Sequence, residues 1–315
     1  MTIVIDTSGP AARAMIEAAS SVSLLRDLDL LLVGDESEIA ATLEQTSHDP
    51  ARLMVRHATG GTSAATAVAA QTPGAALVTA AAAASVVAAA AKGLTRSAGA
   101  RPALCAVYPT GRRRGARKDP FVLILDVGAA FDASADDLVA YARMGAAYAS
   151  RISRNPQPKV AVLAREIAGK LGPDEAVEAI ARLMDDPSID CIGAVGGLEI
   201  SYGAADVIVT SGFLGNTVAR LLEGVGSVAE QLAKSAQDSS MRWRMAYKVI
   251  ESQLESMRGL TDWKEYGGAP LLGYDRPVLV TAENAEHAAL ERAIRLAAKA
   301  IRLDVVGAVA HGSQS

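Results

Sequence analysis

Short apolar runs alternate with helix-like patterns along most of this 315-residue sequence. Thr2–Asp6 precedes a helix-like Ala11–Ser20, and Leu28–Val33 precedes Glu36–Gln45. Such alternation is typical of βαβ units and predicts a three-layer α/β fold, in which helices cover both faces of a mainly parallel sheet. The other strand-like runs are Ala76–Thr79, Ala103–Val107, Phe121–Asp126, Lys159–Leu163, Asp190–Ala194, Asp206–Thr210 and Pro277–Thr281, and the other helix-like segments include Ser134–Arg151, Asp174–Met184 and Ala285–Ile301.

Composition narrows the class of protein further. Only 4% of the residues are aromatic while 50% are hydrophobic, which suits closely packed helices on a sheet and argues against an all-β fold. A net charge of -4 gives no general attraction to nucleic acid or to an anionic membrane. Cys105 and Cys191 lack metal-type spacing, and the N-terminus lacks the basic region of a secretory signal. We therefore expect a soluble, cytoplasmic protein without a metal site.

One region interrupts the alternation. From Thr217 to about Met257 there is no strand-like run, only two long helical patterns that meet near Ser235–Ser240. The sequence shows no low-complexity linker and no internal repeat. We therefore predict one continuous domain, residues 1–315, that carries a projecting helical hairpin at residues 217–260.

The segment Ala205–Asn216 predicts a strand, a tight turn and the start of a helix. Gly212 and Gly215 flank Phe213 and Leu214, and a helical pattern follows directly. A turn of this kind exposes backbone N–H groups at the positive end of a helix, where an anion is stabilised. Many α/β proteins turn in this way without a ligand, so a purely structural role stays open.

Several longer segments carry a resemblance to a known family. The most specific is Asp262-Trp-Lys-Glu-Tyr-Gly-Gly-Ala-Pro-Leu-Leu-Gly273, placed after two long helical patterns and before a strand-like run. Other matching segments, in the same order along the chain, are Leu32–Glu36, Arg101–Leu104, Pro109-Thr110, Leu125–Ala129, Met144–Ala149, Gly212–Asn216 and Glu223-Gly224. Together they resemble the bacterial phosphate acyltransferase (PlsX) family.

The resemblance implies a homodimeric α/β/α protein with an isocitrate-dehydrogenase-like fold, at the junction of fatty-acid and phospholipid synthesis. Family members move an acyl chain from acyl carrier protein to inorganic phosphate, and they use no metal or organic cofactor. Coenzyme A thioesters are an alternative acyl donor. The family's helical hairpin contributes to the dimer and rests on the membrane, which implies a weak peripheral membrane contact here. Nucleic acid is not an expected partner.

The reaction needs groups that hold phosphate against a thioester carbonyl and that stabilise the developing oxyanion. These roles fit residues at the ends of three strand-like runs, Thr2–Asp6, Phe121–Asp126 and Asp206–Thr210. They also fit a lysine that stands in the place of a family lysine. The catalytic candidates are Asn216, Lys170 and Asp126, and the phosphate- or acyl-binding candidates are Asp6, Ser8, Gly9, Gly128, Ser211, Gly212 and Gly215. Lys170 also lies at a helix-like i, i+4 spacing from Glu166, so a surface ion pair explains it equally well.

The sequence departs from the family where the chemistry is expected. Polar family residues give way to alanine in Thr79–Ser85 and at Ala130, and the family's basic, serine-containing loop has no counterpart between His57 and Pro73. The other altered segments are Asp6–Pro10, Ala164–Ala168, Gly193–Gly197, Ser211 and Ala282-Glu283. Two hypotheses therefore stay open: a divergent acyltransferase with an altered acyl group or acceptor, and a catalytically impaired homologue that binds acyl carrier protein as a scaffold or regulator.

Two charged segments have alternative interpretations. The cations of one loop are either a solvated surface or a docking site for an acidic acyl carrier protein; they are Arg112, Arg113, Arg114, Arg117 and Lys118. In the predicted hairpin, Arg242, Trp243 and Met245 suit either the membrane interface or packing against a second subunit.

Overall fold

The computed structural model describes residues 1–24, 28–97, 101–111, 120–239 and 267–312. Strands and helices alternate through most of these ranges. The strands are β1 (Thr2–Asp6), β2 (Asp29–Gly34), β3 (Leu53–His57), β4 (Ala76–Thr79), β5 (Ala103–Pro109), β6 (Phe121–Leu125), β7 (Lys159–Leu163), β8 (Asp190–Val195), β9 (Val207–Val209), β10 (Ala269–Leu272) and β11 (Val278–Val280). The helices are α1 (Ala12–Ser23), α2 (Glu36–Leu43), α3 (Thr62–Gln71), α4 (Ala83–Gly93), α5 (Ala135–Ile152), α6 (Asp174–Met184), α7 (Gly197–Tyr202), α8 (Gly212–Ser239), α9 (His287–Arg302) and α10 (Val305–Gly312).

Local sequence signals fix several helix starts. Asp35 caps α2 by accepting hydrogen bonds from the N–H groups of Ser37 and Glu38. Ser134 and Asp137 form a reciprocal capping box at the start of α5. Because such caps satisfy N–H groups that have no partner inside the helix, these two helices begin where the sequence places an Asp or a Ser before a helical pattern.

All eleven strands form one sheet in the order β3-β2-β1-β4-β11-β10-β5-β6-β9-β7-β8. Seven neighbouring pairs are parallel, and the three antiparallel pairs are β11-β10, β10-β5 and β5-β6. The prediction of a mainly parallel sheet is thereby confirmed.

Helices cover both faces of the sheet, as predicted. Leu123 and Leu125 of β6 are buried in the same cluster as side chains of α5, α6 and α10, while Ile124 between them is buried with α3, α4 and α7. A third cluster joins Ile3 and Ile5 of β1 to α1, α2 and α9. This two-residue alternation between opposite faces is what β-strand geometry requires, and it produces the three layers.

The structure adds elements that the sequence reading did not identify, namely β3, α3, α7, β10 and α10. The first arm of the predicted hairpin lies in α8, which begins at Gly212 rather than at Thr217. The second arm and the matching segment from Asp262 onward up to residue 266 lie outside the described residues. Within the described parts of the chain, none of the helices combines the length and the apolar character that crossing a bilayer requires.

Candidate functional site

The predicted site residues lie at two opposite ends of the strands. β10 begins at Ala269, opposite Val280 at the end of β11, and it ends at Leu272, opposite Ala103 at the start of β5. β6 is antiparallel to β5, with Leu125 opposite Cys105. The strand direction therefore reverses between the two halves of the sheet. We call the carboxyl ends of β1, β4 and β11, with the residues that follow them, the first rim, and those of β6, β9, β7 and β8 the second rim.

Asp6 organises the first rim. Its buried carboxyl group accepts hydrogen bonds from the Ser8 N–H at 3.1 Å and the Ser8 hydroxyl at 2.5 Å, and from the hydroxyls of Thr62 at 2.7 Å and Thr79 at 2.8 Å. These bonds tie the end of β1 to the start of α3 and the end of β4. Because phosphate needs donors, and the donors next to Asp6 already serve its carboxyl group, this geometry supports a structural role. Gly9 follows with a φ of 81°.

Asp126 organises the second rim in a similar way. Its fully buried carboxyl group accepts hydrogen bonds from four backbone N–H groups: Leu104 at 2.9 Å, Gly128 at 3.0 Å, Ala129 at 2.9 Å and Ala130 at 2.7 Å. Both oxygens are satisfied within the protein. Asp126 therefore fixes the loop after β6 against β5, and in this geometry its side chain does not reach solvent.

The start of α8 packs closely onto that loop. A Cβ added at Gly212 would lie 1.9 Å from the Ala130 carbonyl oxygen, and one added at Gly215 would lie 1.9 Å from the Asp126 carbonyl oxygen. The Phe213 N–H donates to the Phe131 carbonyl at 3.0 Å. The two glycines of the predicted anion turn are thus explained by the approach of one backbone to another.

Some donors at this helix end have no acceptor among the residues that the structure describes, although Gly212 itself is buried. Within the described residues, no acceptor is bonded to the N–H groups of Gly212 and Leu214. Asn216 is exposed next to Gly128, and its amide has no hydrogen-bonding partner in the described part of the chain. Ser211 precedes the helix and is partly exposed. The second rim therefore brings Asn216, Ser211 and free N–H donors together at the positive end of a 28-residue helix.

Lys170 lies in the neighbouring loop, because β7 pairs with β9, which leads into α8. The backbones of Ile167 and Lys170 hydrogen-bond to each other in both directions, and the residues between them, Ala168 and Gly169, have φ values of 51° and 79°. This is a tight turn rather than a helix. The prediction that Glu166 and Lys170 lie one turn apart on a helix is therefore wrong, because two residues with positive φ reverse the chain between them.

Apolar side chains surround this part of the second rim. Phe131 is 74% exposed and Phe213 is 60% exposed, and their rings pack in a tilted arrangement with centroids 5.2 Å apart. Further exposed apolar residues lie at the start of α8, on the loop after β7 and at the start of α7; they are Leu214, Ile167 and Leu198. Neighbouring exposed apolar side chains of this kind are typical of binding sites.

Neither cysteine has the properties of an activated nucleophile. Burial raises the pKa of the Cys105 thiol far above its ordinary value, with a contribution from nearby Asp126, and burial also raises the pKa of Cys191. Because the thiolate is the reactive form, both thiols are poor nucleophiles at neutral pH. In the ranges that the structure describes, no group of three His, Cys, Asp or Glu side chains is placed to hold a metal ion.

Arg112, Arg113, Arg114, Arg117 and Lys118 lie outside the described residues, as do Arg242, Trp243 and Met245. Conversely, the sequence reading missed Thr62 and Phe131. Thr62 follows Gly60-Gly61 at a helix start, a signal that could have been read, whereas the pairing of Phe131 with Phe213 is a contact between distant segments.

Comparisons with known proteins place the chain in context. The model of a family described as "Fatty acid synthesis protein" matches residues 1–307. The phosphate acyltransferase of Geobacillus sp. (strain WCH70) is 32% identical over 206 residues, which are 65% of this chain and 60% of that protein. This match thus spans less than two thirds of the relative's length. The phosphate acyltransferase of Bacillus pumilus (strain SAFR-032) is 29% identical over 326 residues, which cover 97% of this chain and 95% of the relative.

Solved structures support the fold. The EutD phosphotransacetylase from Staphylococcus aureus aligns with a TM-score of 0.60 at 15% sequence identity, over 96% of this chain and 94% of its own. A phosphotransacetylase from Streptococcus pyogenes aligns with a TM-score of 0.57 at 14% identity, over 100% of this chain and 94% of its own. At these identities the likeness concerns the fold alone.

Proposed function

Because this chain belongs to the fatty acid synthesis protein family, we propose that it transfers an acyl group from a thioester of acyl carrier protein or coenzyme A to inorganic phosphate or a related acceptor. The reaction would serve fatty-acid and phospholipid metabolism. The observation that carries the proposal is the start of α8, where free N–H groups and the exposed Asn216 amide meet at the second rim.

The proposed mechanism uses these groups to position phosphate. A phosphate oxygen attacks the thioester carbonyl, the C–S bond breaks, and the thiolate leaves and takes up a proton. The N–H groups of Gly212 and Leu214, with Lys170 on the next loop, would hold the phosphate, while the Asn216 amide would donate to the developing oxyanion. Asp126, Gly128 and Gly215 would act indirectly, since they shape the loop and the helix that carry these donors.

The test is phosphate-dependent release of free thiol from acyl-carrier-protein thioesters of several chain lengths. Asn216→Ala is expected to lower the rate by about 100-fold, the effect of removing one oxyanion donor. Arg220→Gln, an exposed change one turn along α8, is the matched control and should leave the rate unchanged. Equal rates for wild type and Asn216→Ala would contradict the assignment of Asn216.

A specific observation favours the second candidate, a catalytically impaired homologue that binds acyl carrier protein as a scaffold or regulator. The segment after β4, which includes the first residues of α4, carries only alanine side chains at residues 80–84, where the family has an asparagine amide and a threonine hydroxyl. Thiol release that stays at the background rate, with binding to acyl carrier protein intact, would make this candidate the leading one.

Assembly and partners form part of the same proposal. We propose a single domain, residues 1–315, whose hairpin at residues 217–260 contributes to a homodimer. The exposed residues Leu221, Val225 and Val228 support this, because they form an apolar stripe along α8. A cytoplasmic location, a weak membrane contact through Arg242–Met245 and docking of acyl carrier protein on Arg112–Lys118 are further proposals.

A further inference from the structure

Arg165 and Glu199 face each other across Gly196 on the second rim. A Cβ added at Gly196 would lie 2.9 Å from Glu199 Oε2 and 3.3 Å from the Arg165 guanidinium nitrogen Nη1. A small group placed beside the Cα of Gly196 would therefore be close to both the Arg165 guanidinium and the Glu199 carboxylate oxygen. Arg165 follows β7 and Gly196 follows β8, two neighbouring parallel strands.

Neither group has a partner in the described part of the chain. Arg165 is exposed and makes no hydrogen bond or ion pair there, and the two groups are too far apart to form an ion pair with each other. Glu199 Oε2 is buried and has no hydrogen-bond partner. Since buried polar atoms are almost always hydrogen-bonded, an orphaned carboxylate oxygen beside an unpaired guanidinium indicates that a further molecule completes the arrangement.

The chemistry of the two groups defines that molecule. A guanidinium binds phosphate well, because its planar N–H groups match the phosphate oxygens. A carboxylate oxygen needs a hydrogen-bond donor, such as a hydroxyl or an amide N–H. Inorganic phosphate fits poorly, because it would bring a second anion towards Glu199. A ligand with a phosphate at one end and a neutral hydroxyl or amide a short carbon chain away satisfies both groups at once.

The phosphopantetheine arm has this composition, and acyl carrier protein and coenzyme A both present their thioesters on it. We propose that Arg165 binds the phosphate of the donor's phosphopantetheine arm and that Glu199 accepts a hydrogen bond from its hydroxyl or amide N–H. This inference rests on the proposed function, because it assigns the donor to the same rim as the start of α8. β7 lies directly beside β9, so an arm held at Arg165 is next to the proposed phosphate site.

Equilibrium binding of phosphopantetheine, pantetheine and inorganic phosphate, measured by titration calorimetry, tests the inference. Arg165→Gln should weaken phosphopantetheine binding about 10- to 100-fold and leave pantetheine binding unchanged, because only the former carries the phosphate. Glu199→Ala should weaken both ligands. Gly196→Ala keeps both charged groups but places a methyl group against Glu199 Oε2, so it should also weaken both.

Arg151→Gln is the matched control. Arg151 is exposed in the last turn of α5, which runs from the second rim to the opposite end of the strands. Its substitution should change none of the three affinities. Urea unfolding of each variant shows whether its fold is retained, and Gly196→Ala provides a second test if either charged residue proves necessary for folding.

The outcomes separate this inference from the proposed function. Phosphopantetheine binding that is equal in wild type and Arg165→Gln overturns the inference, as does Arg165-dependent binding of inorganic phosphate without binding of the arm. A protein that binds the arm through Arg165 but releases no thiol supports the inference and removes the acyl-transfer proposal. Thiol release with unchanged kinetics in Arg165→Gln, on both phosphopantetheine and pantetheine thioesters, overturns the inference alone.

Discussion

The substitution Gly215→Ala tests whether the glycines at the start of α8 are needed for the close packing of the helix against the loop after β6. The Cβ of Gly215→Ala would lie 1.9 Å from the Asp126 carbonyl oxygen and 2.9 Å from Thr210 Cγ2. The Asp126 oxygen belongs to a loop held by four hydrogen bonds to the Asp126 carboxyl group. The loop therefore has little freedom to retreat, and the helix must move by about an ångström or more for ordinary contact.

The structure sets the expected magnitude. Inserting a methyl group into a closely packed site costs about 1–3 kcal/mol, and contact with backbone on a fixed loop places Gly215→Ala near the upper figure. Small proteins have a urea dependence of about 1–3 kcal/mol per molar and larger ones have a steeper dependence, so in this 315-residue chain the unfolding midpoint should fall by up to about 1 M. Gly197→Ala is the control, because the described residues leave its Cβ in open space and its φ is not positive.

The assay is urea unfolding followed by far-UV circular dichroism. Gly197→Ala should unfold at the wild-type midpoint or slightly above it, since alanine favours the helix more than glycine does. If Gly215→Ala also unfolds at the wild-type midpoint, the packing explanation is wrong. The glycine would then have to serve the approach of a ligand to the backbone, and the loss should appear in thiol release instead.

Four further predictions concern the two buried carboxyl groups and the thiols. Asp126→Asn should lower the free energy of unfolding by roughly 2–3 kcal/mol in urea titrations, because the new amide N–H groups face backbone donors. Thr62→Val and Thr79→Val should each cost about 1 kcal/mol, and less than the sum when combined, because both hydroxyls bond the same Asp6 oxygen; strict additivity would contradict this. Ellman's reagent at pH 8 should label Cys191 slowly and Cys105 only on unfolding. Because burial raises the pKa of Cys105 in the folded state, the free energy of unfolding should also fall as the pH rises above about 8.5, where the unfolded thiol ionises, and Cys105→Ala should reduce that slope.

The fold was largely predictable because its strands are buried on both faces. Runs such as Phe121–Leu125, with every residue buried, stand out from their flanks in the sequence. β3 was missed because it is the edge strand: only Leu53 is buried, and Arg56 and His57 interrupt the apolar pattern. β10 was missed because it is four residues long and contains Pro270.

The candidate site was predictable in its parts but not in its arrangement. Glycine spacing identified the start of α8, and the position of Asp126 after a strand identified the neighbouring loop. The sequence pattern does not predict the direction of each strand in the sheet. The reversal between the halves of the sheet results from three successive antiparallel pairs, and one of them joins β10 to β5, which are far apart in the sequence. Asp6, Ser8 and Gly9 were therefore grouped with residues that lie at the opposite rim.

This separation changes what a matching motif means. The fold needs Gly212, Gly215 and Asp126 for its packing, whether or not the protein is catalytic. Their presence therefore does not distinguish an active acyltransferase from an impaired one. Asn216 differs, because its exposed amide bonds nothing in the described part of the chain and stabilises no loop. We expect Asn216→Ala to leave the free energy of unfolding unchanged and to lower the rate of thiol release. Only a role of Asn216 in chemistry at the second rim explains that combination.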